Sequence, residues 1–141
     1  KWDLIEKENN TAKTLEQEIK SKTAPFVDYP VLFISATNKQ RIHKVLDLIA
    51  TVNANRTRKI PTSELNEMML AIIKQNPPPA LKGKYVKIKY VTQLPIHTPA
   101  FAFFCNLPQY VKEPYRRYVE NRMREKYEFT GVPLRIFFRK K

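Results

Sequence analysis

Two short segments of this chain carry residue types that could read a polar ring. Lys1-Trp2-Asp3 runs into the apolar pair Leu4-Ile5, and Ser35-Ala36 follows the apolar run Val31-Leu32-Phe33-Ile34. A carboxylate after one strand and a Ser-Ala turn after the next would both project from the C-terminal edge of one sheet, where open α/β sheets bind ligands. The chemistry that suits this pairing is recognition of guanine. Asp3 would accept from the ring N–H and the exocyclic amine, while a backbone N–H of the turn donates to the carbonyl oxygen, which discriminates against adenine. Charge-assisted bonds of this kind contribute about 1.5–3 kcal/mol each. Either segment alone reads as an ordinary strand end or turn. The two together, at this spacing, carry the expectation.

Other chemistries are excluded by count. The chain has two glycines, Gly83 and Gly131, far apart in sequence, so no glycine-rich loop can cradle phosphates here. His43 and His97 stand without a cluster of Cys or carboxylate partners and read as structural or surface groups, not metal ligands. Cys105 lies in an apolar run and reads as core; being the sole cysteine, it cannot form an internal disulfide, which suits a reducing cytosol. With no nucleophile, base and orienting partner in view, a free-standing enzyme is not expected. No apolar stretch approaches the roughly 20 residues that span a bilayer. The chain reads as cytoplasmic.

Charge is the strongest compositional signal. The net charge is +13, and it is uneven: residues 1–75 hold 12 Lys+Arg against 9 Asp+Glu, whereas residues 76–141 hold 14 against 4. A surface this positive attracts polyanions, with nucleic acid the commonest partner.

The elements that must position these groups follow from periodicity. A helix is expected over residues 11–22, with Thr11 as N-cap and Leu15 and Ile19 on one face. Val31–Ile34 reads as a strand covered on both faces. Ile42, Val45, Leu46, Ile49 and Val52 then mark a second amphipathic helix, which fades into the polar stretch Asn53–Lys59. A helix, one covered strand and a helix do not make a domain, because such a strand needs neighbours in a sheet. Residues 1–59 are therefore expected to be the end of a larger α/β domain.

Residues 60–141 can stand alone. Thr62 or Ser63 caps a helix with Leu65, Met68, Met69, Ile72 and Ile73 as its apolar stripe, ended by Asn76-Pro77-Pro78-Pro79. A strand over residues 84–92 alternates Val86, Ile88 and Tyr90 against Lys87 and Lys89. Ala100–Cys105 is a second strand. Glu113-Pro114 opens a helix that buries Tyr115, Tyr118, Val119, Met123 and Tyr127, and Leu134, Ile136 and Phe138 alternate against Arg135, Phe137 and Arg139 in a last strand. The order is αββαβ.

With these elements in place, Lys-x-Asp at residues 1–3 resembles the end of the Asn-Lys-x-Asp guanine motif of translation-factor-type GTPases, its Asn falling just before Lys1, and Ser35-Ala36 resembles the matching Ser-Ala motif. Ile60-Pro61-Thr62-Ser63-Glu64-Leu65-Asn66, Pro77-Pro78-Pro79, Lys87-Ile88-Lys89-Tyr90, Phe103-Phe104-Cys105-Asn106, Tyr115–Asn121 and Gly131–Ile136 resemble, in order, the C-terminal domain of the Der (EngA) family. The resemblance covers essentially the whole chain. It implies an α/β and α+β architecture: the C-terminal remnant of a P-loop-type GTPase domain over residues 1–59, the second of a tandem repeat, then a KH-like αββαβ domain over residues 60–141.

The resemblance also implies roles. Lys1, Trp2, Asp3, Ser35 and Ala36 would form the guanine end of a nucleotide site, with Lys1 packed along the nucleotide, Asp3 reading the base and the Ala36 amide donating to its carbonyl. GTP or GDP and Mg²⁺ would bind the intact protein only, because the phosphate loop, the magnesium-binding Thr and the switch are not in this chain. The implied partners are the large ribosomal subunit or its rRNA and the GTPase domains of the same chain. RNA-binding KH domains clamp the backbone with Gly-x-x-Gly, which the glycine count excludes. RNA contact would rest on cations, with Lys87, Lys89, Arg135 and Arg139 as candidates and Tyr85 or Phe137 as exposed aromatics. The alternative is a KH-like domain that acts chiefly as an intramolecular docking module reporting nucleotide state.

Overall fold

The computed structural model describes residues 1–6, 8–81 and 83–140. Its backbone divides into two units, one of residues 1–55 with 130–132, the other of residues 56–129 with the chain from 133 onward.

The first unit opens with a 3-10 turn, Trp2–Leu4, followed by helix α1 (Thr11–Thr23) and helix α2 (Ile42–Thr57). Thr11 is not the N-cap. Asn10 holds that position with φ of 73°, and the Thr11 hydroxyl instead accepts from the Glu8 amide at 2.8 Å while donating to the Glu8 carbonyl at 3.0 Å. Val31–Ile34, expected as a strand, is partly buried but joins no ladder. A strand exists by virtue of its neighbours' hydrogen bonds, and the backbone bond that reaches this run is Trp2 N–H to the Ile34 carbonyl at 2.9 Å. The α2 stripe is only partly covered: Ile42, Val45 and Val52 are half-buried, while Leu46 is 65% and Ile49 59% exposed. Trp2 is buried, its ring 4.7 Å from that of Phe33.

Residues 130–132 close this unit. The Asn55 side-chain amide donates to the Thr130 carbonyl at 3.0 Å, and the Gly131 N–H donates to the Asp28 carbonyl at 2.8 Å. Gly131 has φ of +82°, and a Cβ built there would stand 2.6 Å from Val52 Cγ2. Gly83 has φ of +73° but open space around it. Gly131→Ala is therefore expected to lower stability by about 2–4 kcal/mol, combining left-handed backbone strain with overpacking. Gly83→Ala carries the strain alone, about 1–2 kcal/mol. Thermal melts of the two variants, side by side, check this ordering.

The second unit runs α3 (Thr62–Gln75), β1 (Ile88–Gln93), β2 (Ala100–Cys105), a 3-10 turn at Pro108–Tyr110, α4 (Glu113–Lys126) and β3 (Arg135–Lys140). This is the expected αββαβ order. The sheet order is β1-β2-β3, with β1 antiparallel and β3 parallel to β2. Both helices cover one face. Leu65, Met69 and Ile73 of α3 and Tyr115, Val119 and Met123 of α4 enclose Val91, Phe101, Phe103 and Phe138. The α3 cap differs from expectation: Thr62 is the first helical residue, Pro61 stands at the cap, and no side chain bonds there. Proline restricts the entering backbone by itself.

The expected alternation of the first strand fails at one point. The register shifts between Ile88 and Tyr90, so Lys89 sits in a β-bulge. An extra residue reverses the facing of everything after it. Val91, fully buried, takes the core position, and Tyr90, expected beside Val86 and Ile88, is 42% exposed. Lys87 precedes the strand rather than lying in it.

Side-chain amides complete the bonding where strands end. Asn66 of α3 accepts from Val91 N–H at 2.8 Å and donates to the Val91 carbonyl at 2.6 Å, serving the outer edge of β1 as another strand would. Gln93 does the same for the Ile60 N–H and the Arg58 carbonyl, both at 2.8 Å. Asn106 brackets the Lys87 N–H and the Tyr85 carbonyl at 2.8 and 3.0 Å.

Candidate functional site

In the first unit the two sequence segments meet. The Trp2 N–H to Ile34 bond places Lys1-Trp2-Asp3 beside the turn that starts at Ser35. That turn is closed on itself: Ser35 and Gln40 exchange backbone bonds at 2.9 and 3.3 Å, and Ala36 accepts from the Lys39 amide at 3.2 Å. The buried Ser35 hydroxyl accepts from the Asn38 N–H at 3.2 Å. Lys39 and Arg41 both hold positive φ, 50° and 60°, so the turn is tightly wound. Ala36 and Lys1 are exposed and Asp3 is half-exposed, at the surface where a planar base could be met. This arrangement offers an acceptor on one segment and backbone amides on the other.

In the second unit, the face of the sheet away from the helices is built in rungs. Register puts Tyr90, Phe104 and Arg139 in one row, Thr92, Ala102 and Phe137 in the next, and Ala100 with Arg135 in the last. Arg135 and Arg139 are exposed on this face as expected, Arg139 lying 5.6 Å from the Phe137 ring centre. Lys87 and Lys89 are also exposed, but on the opposite edge, across β2 from the arginines, so the four cations do not form one tight cluster. The three strands contain no carboxylate. Tyr85 is 69% exposed.

Simple alternation puts Tyr90 on the core side with Val86 and Ile88 and does not mark Tyr90 or Phe104 as surface aromatics. The signal was the consecutive apolar pair Tyr90-Val91, which breaks a two-residue alternation and so marks a phase shift. Cys105 is fully buried, and burial raises its thiol pKa, which leaves it in the core as expected and unsuited to nucleophilic work. His43 and His97 are exposed. Among the described residues no group of His, Cys, Asp and Glu is arranged to hold a metal ion, and no helix is long and apolar enough to cross a membrane.

Residues 59–139 match the family model described as the KH-domain-like, C-terminal region of EngA bacterial GTPase enzymes. Over its whole length the chain is 59% identical to GTPase Der of Bacteroides fragilis, 57% to that of Porphyromonas gingivalis and 54% to that of Christiangramia forsetii. The chain belongs to the Der/EngA family. It spans about a third of those relatives' own length, 32% or 33% in each case, and corresponds to the C-terminal region of a Der protein. The family match runs from just before α3 into β3, so the three-stranded sheet and its two helices are the KH-like part.

Proposed function

We propose that residues 1–59 are the end of a Der GTPase domain and residues 60–141 a KH-like domain that contacts RNA, in a cytoplasmic GTP-binding protein that assists assembly of the large ribosomal subunit. The observation that carries the nucleotide half is the bond that holds Lys1-Trp2-Asp3 against the Ser35-Ala36 turn, in a chain whose relatives are GTPases. The exposed Leu46 and Ile49 and the ladderless Val31–Ile34 run support it: all are surfaces that the remaining strands and helices of such a domain would cover.

In this reading Asp3 accepts from the guanine ring, the Ala36 amide donates to the base carbonyl, and Lys1 and Trp2 border the base. The buried Ser35 holds the turn's shape. Phosphates and Mg²⁺ would be held by residues upstream of this chain, where they supply the electrostatic stabilisation of phosphoryl transfer. The residues described here fit the base end alone.

The RNA half rests on charge. Exposed Lys87, Lys89, Arg135 and Arg139 surround a sheet without carboxylates. Such binding is electrostatic, so it falls steeply with salt. Lys87→Glu with Lys89→Glu in the full-length protein is expected to weaken ribosomal RNA binding more than ~10-fold and to reduce the log–log salt slope by about 1.4, two contacts at roughly 0.7 each. A thermal melt should move little, since exposed charge changes usually cost within about 0.5 kcal/mol. Unchanged RNA binding with impaired association between the KH-like and GTPase domains would instead favour the docking-module reading.

A further inference from the structure

We infer that the open face of the KH-like sheet is a stacking platform for unpaired nucleotides, so that the RNA recognised here is single-stranded where it meets β1, β2 and β3. This rests on the RNA reading above and adds a binding mode to it.

A solvated antiparallel face ordinarily alternates to polar side chains. This one does not. Tyr90 and Phe104 pair across β1 and β2 with ring centres 6.0 Å apart at 40°. Phe137 stands one rung away on β3, with the Arg139 guanidinium 5.6 Å from its ring. Ala100 and Ala102, in the middle strand, are fully buried; Tyr90 is exposed, Phe104 and Phe137, the latter expected as exposed, are half-buried, and the guanidinium groups of Arg135 and Arg139 stand beside them. The bulge at Lys89 is what brings Tyr90 here; without it the ring would turn toward the helices. Exposed Arg135 and Arg139 flank the rings, and no carboxylate of the strands opposes a phosphate.

Rings beside cations on a sheet surface match a polyanion that also offers flat π faces. Single-stranded nucleic acid has both: bases stack on aromatic rings while Arg and Lys track the backbone. A duplex does not fit, because its base faces are already stacked on one another and its grooves are read by shape and hydroxyls. A protein partner would use the same apolar area but has no need of a face without carboxylates. Two stacking positions result, one at Tyr90 and Phe104, the other at Phe137 and Arg139.

The test titrates the full-length protein with a fluorescent 12-nucleotide single-stranded RNA and with its blunt duplex, at two salt concentrations. Tyr90→Leu with Phe137→Leu removes one ring from each stacking position, keeps Phe104 and alters no charge. Single-strand affinity is expected to drop at least ~10-fold, with the salt slope and duplex affinity unchanged and a thermal melt close to wild type. Tyr90→Phe with Phe137→Tyr should restore binding. In the unaltered protein, 2-aminopurine placed in the single strand should be quenched on binding, a readout that does not depend on how the variants fold. Loss of single-strand and duplex binding in equal measure, full binding by the Leu variant, or an unquenched 2-aminopurine would each overturn the platform while leaving electrostatic RNA contact intact. Failure of the wild-type protein to bind either RNA would remove the underlying RNA reading.

Discussion

Asp3→Asn in the full-length protein is expected to lower affinity for guanine nucleotides at least ~100-fold and to raise affinity for xanthine nucleotides. A carboxylate only accepts, and guanine offers two donors on the edge that Asp3 would face. Losing two charge-assisted bonds at about 1.5 kcal/mol or more each gives about 3 kcal/mol, which is two orders of magnitude in affinity. The amide of Asn brings a donor that has no acceptor on guanine but meets the second carbonyl of xanthine, and sites built around hydrogen bonds reject mismatches strongly. Trp2 is buried against Phe33 and its N–H donates to the Ile34 carbonyl, which anchors the backbone beside Asp3. Competition between GDP and XDP, measured for both proteins, checks the exchange. Retained guanine selectivity would remove Asp3 from the base-reading role.

Asn66→Ala is expected to destabilise the KH-like domain by roughly 2–4 kcal/mol. Val91 is fully buried, and its N–H and carbonyl both point to the outer edge of β1, where the Asn66 amide meets them at 2.8 and 2.6 Å. In an antiparallel ladder alternate residues bond outward, so these two groups have no strand to pair with. Truncation leaves a buried donor and a buried acceptor unmet, each costing about 1–3 kcal/mol, and it opens an edge to adventitious strand pairing. Asn66→Asp keeps the acceptor for Val91 N–H but replaces the donor with a charged oxygen facing a carbonyl, so it should be no better than Ala. Urea titrations give both values, and a change below about 0.5 kcal/mol would mean the amide is dispensable.

Much of the KH-like architecture was legible because burial there follows simple periods. The stripe Leu65, Met69 and Ile73, the helix entry at Glu113-Pro114 and the alternation of Leu134, Ile136 and Phe138 all appear in the structure as the residue pattern implied. The first strand was misread where one inserted residue reversed its facing, because period-two reasoning has no memory of a bulge. The brackets made by Asn66, Gln93 and Asn106 are tertiary: a lone amide in a sequence does not say which distant peptide it will meet. In the first unit, Val31–Ile34 was legible as a run made for a sheet, yet it has no ladder, because pairing is a property of neighbours. Lys1-Trp2-Asp3 and Ser35-Ala36 stand out as a pair through their spacing, whereas the bond from Trp2 to Ile34 that joins them is seen only in the fold.

In the proposed function Asp3 and the Ser35-Ala36 turn are the base end of a nucleotide site whose phosphate-binding part lies elsewhere in a longer Der protein. Isothermal titration of GDP with Mg²⁺ into the 141-residue chain and into the full-length protein tests it directly. Most of the affinity for such nucleotides comes from the phosphate loop and the metal. The full-length protein is therefore expected to bind at micromolar concentrations or below, and the 141-residue chain to give no heat at those concentrations. Micromolar binding by the 141-residue chain alone, or no binding by the full-length protein, would contradict the account.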